Sequence, residues 1–152
     1  VSKQWNPMQS HDQLRQQNRR QRAELDQSQL ALSALALEKR ILALDEYQAS
    51  QKLAAYYAVN GEISLDPIIE QALSAGKQVY LPNLDQQTLR FSPYFHGQKM
   101  RVNKFKLPEP DVSATEMLSP QDLDLVLAPL VVFDSARTSS FLHGAVISPP
   151  KL

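Results

Sequence analysis

The sequence contains no cysteine and only four glycines, and its 152 residues hold no apolar run approaching the ~20 needed to span a bilayer. Without cysteine there can be no disulfide framework, no thiolate nucleophile and no cysteine-ligated zinc, and a reducing, cytoplasmic setting is the expectation. Charge of one sign is also missing: lysine plus arginine and aspartate plus glutamate stand at 16 each. A chain with no net field is not drawn as a whole onto nucleic acid or an acidic membrane, so any electrostatic function must be local. The polar opening, Val1 to Gln13, lacks the apolar segment of a secretory leader. What remains is 43% hydrophobic and 21% charged, enough for one domain with a buried core.

Residues 1–10 are polar, contain Pro7 and show no period, which predicts a loose tail. From Leu14 to Glu24 the residues favour helix, with His11, Arg15, Arg19 and Arg22 spaced to share one face. Asp26 and Gln29 have the spacing of a capping box, so a second helix is expected to start there, burying Leu30, Ala34, Leu37, Ile41 and Leu44.

Beyond Ser50, the run Lys52 to Ala58 reads as a buried strand and Asn60-Gly61 as a turn. Asp66-Pro67 opens a helix that ends at Gly76, and Gln78 to Pro82 is a second strand, which together make a βαβ unit with parallel strands. Thr88 to Phe95 predicts an edge strand with Leu89 and Phe91 on one face and Arg90 and Ser92 on a solvated one. Phe105 to Pro110 should be stiff and extended, and the first half of the apolar run Leu125 to Phe133 a central strand. From Ser135 onward no period is visible.

Several chemistries find no support. His11, His96 and His143 are far apart and lack metal-ligand spacing, so no metal site is assigned. Ser139 and Ser140 have no nucleophile elbow around them, and Asp124 and Asp134 read as strand ends rather than a catalytic pair. The arginine-rich first helix has no interleaved aromatics, so nucleic acid is not an expected partner.

In order, these elements resemble the 5-formyltetrahydrofolate cyclo-ligase family, also called methenyltetrahydrofolate synthetases. The match is carried by Leu14-Arg15 with the basic stretch to Arg22, by Tyr56 to Ile63 followed by Pro67-Ile68-Ile69, and by Gly76 to Pro82. It continues through Met100, Asn103, Pro108-Glu109-Pro110, and Leu123 to Asp134. The resemblance implies a three-layer α/β/α fold with a mostly parallel sheet over residues 11–134. It also implies a cytoplasmic, monomeric enzyme that uses ATP and Mg2+ to close 5-formyltetrahydrofolate into 5,10-methenyltetrahydrofolate. In the implied reaction the formyl oxygen attacks the γ-phosphate, and ring closure then expels phosphate. The protein positions and neutralises.

Carried over position by position, the family's ATP contacts fall on His11 and Arg15 and its folate contacts on Tyr57 and Glu62. Arginine can clamp phosphate oxygens, and a carboxylate can accept from adjacent N–H donors of a pterin-like ring. His11 stands where the family has lysine, and imidazole is only partly charged near neutrality. No residue is assigned the chemical step. After Asp134 the family continues into a segment Gly-x-Gly-x-Gly-Tyr-Tyr-Asp that cradles phosphate and serves the metal. That segment is absent from this sequence. Residues 135–152 therefore read as an atypical tail after a truncation or frameshift, with the C-terminal part of the fold missing, the face of the Leu125 to Val132 strand exposed, and turnover impaired. The alternative reading is a non-catalytic folate- or nucleotide-binding module.

Overall fold

The computed structural model describes residues 11–85, 88–129, 141–142 and 145–148. Helix α1 runs His11–Ala23 and α2 Gln27–Leu42. The two are separate because Asp26 caps the second: its carboxylate accepts from the Gln29 N–H at 2.8 Å, and the Gln29 side chain accepts from the Asp26 N–H at 3.3 Å. This is the predicted capping box. Ala34, Leu37 and Ile41 form the buried stripe of α2, while Leu30 and Leu44 are half-buried at its ends. A short helix, α3 (Asp45–Ala49), leads into strand β1 (Lys52–Ala54). Then come α4 (Asp66–Ser74), with Pro67 in its first turn, β2 (Gln78–Asp85) and β3 (Thr88–Tyr94). A hairpin of β4 (Met100–Val102) and β5 (Pro108–Pro110) and two single 3-10 turns precede β6 (Leu125–Pro129). Last are β7 (Phe141–Leu142) and β8 (Ala145–Ser148).

The main sheet has the order β3-β2-β1-β6-β8-β7. Its centre is parallel: β1 pairs with β2 through Leu53↔Val79 and with β6 through Leu53↔Leu125. Its flanks, β3 on one side and β8 and β7 on the other, run antiparallel. The α/β character is as expected, and the sheet is mixed.

Because side chains alternate along a strand, the register puts Leu53, Val79, Leu81, Leu125 and Leu127 on one face. There they pack with Leu37 and Ile41 of α2 and Ile68, Ile69 and Ala72 of α4. The opposite face carries Ala54, Tyr80 and Phe91, covered by Leu118 and Leu123 from the segment containing the 3-10 turns.

Four details depart from the sequence reading. β1 is only three residues long, since after Ala55 donates to the Tyr80 carbonyl the chain leaves the sheet. In β3, Phe91 and Ser92 are both buried and Leu89 is 49% exposed. Both faces of the sheet are covered at the level of Phe91 and Ser92, whereas Leu89 pairs with Leu84 near the strand tip, so simple alternation fails. The stretch from Phe105 is not uniformly extended. Asn103 folds it into a turn, its side-chain oxygen accepting from the Phe105 and Leu107 N–H groups, with Lys106 left-handed at φ 61°. Finally, the region after Ser135 supplies β7 and β8, and β8 pairs with the outer edge of β6 through Leu127↔Ile147. Ala145 to Ser148 is too short a run for its period to register in sequence. The expected exposed strand is thus paired along that edge, and Leu125 and Leu127 are buried. Residues 1–10 and 130–140 lie outside the described residues.

The β4–β5 hairpin is tied to β2 by a buried carboxylate. Glu109, 3% exposed, accepts from Arg101 Nε at 2.8 Å, Asn103 Nδ2 at 3.1 Å and the Leu84 N–H at 3.3 Å. Arg101 also donates to Asn83 Oδ1 at 3.2 Å, and Asn83 donates to the Pro110 carbonyl at 3.0 Å. A buried charge persists only where paired and hydrogen-bonded in this way.

Asp124 ties β6 to the start of β1. One carboxylate oxygen accepts from the Gln51 and Lys52 N–H groups, both at 2.8 Å. These backbone donors, Lys52 first, and the nearby Lys52 and Lys77 charges hold the carboxyl below its ordinary 3.8.

Glu109→Ala leaves buried donors unmatched and should cost about 3 kcal/mol in urea unfolding, with Glu109→Gln losing less. A loss below about 1 kcal/mol for the alanine variant would contradict this account of the network. For Asp124 the folded pKa is depressed, so its contribution is complete above the unfolded value of 3.8 and is lost as pH falls towards the lower folded value. Asp124→Ala should therefore be less stable than the parent at pH 7, with the gap closing below about pH 4. A gap that stays constant down to pH 2 would refute the linkage.

Candidate functional site

In open α/β sheets ligands bind beyond the carboxyl ends of the parallel strands. Here that region is built from the segment leaving β1. After Tyr57 and Ala58 the chain turns tightly at Val59-Asn60-Gly61-Glu62, closed by the Glu62 N–H donating to the Val59 carbonyl at 3.1 Å. Both central residues have positive φ, 51° at Asn60 and 75° at Gly61, the combination that Asn-Gly adopts at least cost. Glu62 also clasps the turn through its side chain, one carboxylate oxygen accepting from the Val59 N–H at 3.1 Å. A carboxylate offers roughly four acceptor sites, so this clasp uses only a part of its capacity.

Tyr56 and Tyr57 leave the strand in different directions. Tyr56 is buried and its hydroxyl donates to the Ile63 carbonyl at 3.0 Å. Burial pushes its phenol up to about 12, helped by the Glu62 charge and opposed by that of Arg22. Tyr57 is half-buried and meets Tyr94 edge-on, with ring centroids 6.4 Å apart. Burial, then Tyr94, then the Asp66 charge push its phenol up to about 12 as well. Both phenols stay protonated at neutral pH and act as hydrogen-bond donors, not as bases.

The turn also touches α1. The Arg22 carbonyl lies against Gly61, and Arg22 is half-buried with its charge felt at Tyr56. Arg15 is seven residues earlier, two turns back on nearly the same face of α1, so it lies roughly 10 Å along the axis from Arg22. Arg15 is exposed. His11 begins α1, and its side chain lies outside the described residues. A shallow groove lined by Gln13, Gln16, Gln17, Arg20 and Gln21 of α1 and by Glu24 just beyond it contains none of the four predicted residues.

The structure therefore brings Tyr57 and Glu62 onto one short connection and seats the end of the Arg15 helix against it. The contacts of Tyr57 and Glu62 go to different neighbours, the Tyr94 ring for the first and the Val59 backbone for the second. Sequence reasoning gave no role to Tyr94 or Tyr56, and read Arg22 only as part of a basic helix face. Tyr94 has no spacing relation to Tyr57, and only β3 folding back beside β2 joins them. Among the described residues no group of three or more histidine, aspartate or glutamate side chains could hold a metal ion. No described helix is long and apolar enough to cross a membrane.

Comparison with known proteins bears on the same segment. Residues 7–138 match the model of the 5-formyltetrahydrofolate cyclo-ligase family. The chain is 32% identical over 129 residues to a 5-formyltetrahydrofolate cyclo-ligase of Haemophilus influenzae, covering 83% of this chain and 69% of that protein. It is 35% identical over 85 residues to one of Escherichia coli, covering 54% of this chain and 47% of the relative. The solved structure of Aquifex aeolicus 5,10-methenyltetrahydrofolate synthetase superimposes with a TM-score of 0.72 at 24% identity, over 81% of this chain and 62% of that one. The chain thus spans about half to two thirds of the length of these relatives. With a family match across most of its length and a sheet of the same fold, this chain belongs to the 5-formyltetrahydrofolate cyclo-ligase family.

Proposed function

We propose that the chain acts in ATP-dependent cyclisation of 5-formyltetrahydrofolate to 5,10-methenyltetrahydrofolate, as a cytoplasmic monomer with no nucleic-acid or membrane partner. The observation that carries this reading is the Val59–Glu62 turn, which holds a carboxylate just past the carboxyl end of the central parallel strand and rests against the helix that carries Arg15. In this reading Glu62 accepts from paired N–H donors on the pterin-like ring. Tyr57, braced by Tyr94, packs on or donates to the ring. Arg15 clamps phosphate oxygens of ATP, and His11 adds a second, pH-dependent cation at the start of α1.

ATP supplies the phosphoryl group that turns the formyl oxygen into a leaving group. The chain's own residues bind and orient the two reactants. Mg2+ would accompany the nucleotide, and the described residues offer no cluster of carboxylates and histidines suited to it.

The alternative reading is a folate- or nucleotide-binding module without turnover. The two readings share their binding sites and differ in the rate.

Titration calorimetry with 5-formyltetrahydrofolate and with a non-hydrolysable ATP analogue tests the binding sites. Glu62→Gln should weaken folate about tenfold or more and leave the nucleotide within about twofold, and Arg15→Ala should do the reverse. Absorbance of methenyltetrahydrofolate formed with ATP and Mg2+ then separates enzyme from binding module. No binding of either ligand by the folded parent at millimolar concentration would sink both readings.

A further inference from the structure

Gly61 is confined in two independent ways. Its φ of 75° lies in the left-handed region, where glycine pays no steric cost. A side chain here would also collide with backbone: a Cβ would sit 2.6 Å from the Arg22 carbonyl oxygen and 3.0 Å from its carbon. The first constraint concerns the turn alone and could be met by asparagine, as at neighbouring Asn60. The second concerns the distance between two elements. The last turn of α1 approaches the β1–α4 connection as closely as it does only because nothing projects from Gly61.

We infer that Gly61 is a positioning residue: by letting the C-terminal end of α1 rest on the Val59–Glu62 turn, it sets the separation between Arg15 on the helix and Glu62 on the turn. The inference rests on the proposed function in so far as those two residues hold the two reactants. The chain of contact is short. Glu62 is locked to Val59 by a backbone and a side-chain hydrogen bond, so it cannot move independently of Gly61. Arg15 and Arg22 share one unbroken helix, so a shift at Arg22 is carried to Arg15 as a rigid-body movement. Restoring ordinary contact of about 3.4 Å at Gly61 displaces the helix end by close to 1 Å. A displacement of that size between two reactants can cost about a hundredfold in rate without removing any binding group.

The test uses the full chain and two variants. Gly61→Ala adds the Cβ and strains the turn, whereas Gly61→Asn adds the Cβ with a residue that tolerates positive φ. Nitroxide labels at the exposed Gln16 of α1 and Gln71 of α4 report the helix position by pulsed electron resonance. Both variants should move or broaden the distance distribution by about 1 Å or more, and Gly61→Asn should do so while still unfolding cooperatively. In the cyclisation assay kcat should fall about tenfold or more, with KM for folate and ATP each within about threefold. Distances unchanged in a folded Gly61→Asn chain would overturn the inference. So would a loss confined to KM, or failure of both variants to fold, which would make Gly61 a condition of the fold and not of the spacing. A parent chain that binds neither ligand defeats the folate reading instead, and the distance measurement then decides the role of Gly61 by itself.

Discussion

The structure depends on the parallel pairing of β1 on both of its edges. Three residues, Lys52 to Ala54, hydrogen-bond to β2 on one side, and two of them face β6 on the other. Parallel neighbours cannot be joined by a tight hairpin, so the chain must cross over one face between them, and α4 is that crossover. Once β1 is central, Leu53 and Ala54 lose all solvent exposure on opposite faces, and each face requires cover. One is covered by α2 and α4, the other by the segment that ends at Leu123.

A strand so short holds its place through side-chain ties at its ends. Asp124 closes the β6 side at the start of β1, and Lys77 reaches back to the Ser50 carbonyl on the β2 side while its ammonium lies 4.9 Å from the Tyr47 ring. These ties gather at the amino end of the strand. The carboxyl end is left to the Val59–Glu62 turn, so the connection is free to carry ligand-facing groups. The buried Glu109 network plays the corresponding part for the hairpin, linking Asn83 and Leu84 near the end of β2 to β4 and β5.

Much of this was legible beforehand where the signal is local. The Asp26 and Gln29 cap, Pro67 at the start of α4 and the left-handed Gly76 at its end each follow from one or two residues whose backbone chemistry permits few alternatives. The strands were less readable. β3 buries Ser92 as well as Phe91, on opposite faces, so alternation marks no solvated side there, and β8 shows no period because four residues are too few. At the candidate site, Tyr57 and Glu62 lie on one short connection and could be named together. Tyr94, Tyr56 and the close approach of Arg22 to Gly61 could not.

By itself, then, the amino-acid sequence determined the cap that starts α2, the start and end of α4, the βαβ core and the family, because caps, periodicity and ordered motifs are properties of neighbouring residues. Only the tertiary structure decided which edge of β6 is paired, which hydroxyl and carboxylate are buried, and how closely α1 rests on the turn beyond β1. Those depend on elements far apart in the chain being brought to within a few ångströms, and no local pattern records that distance.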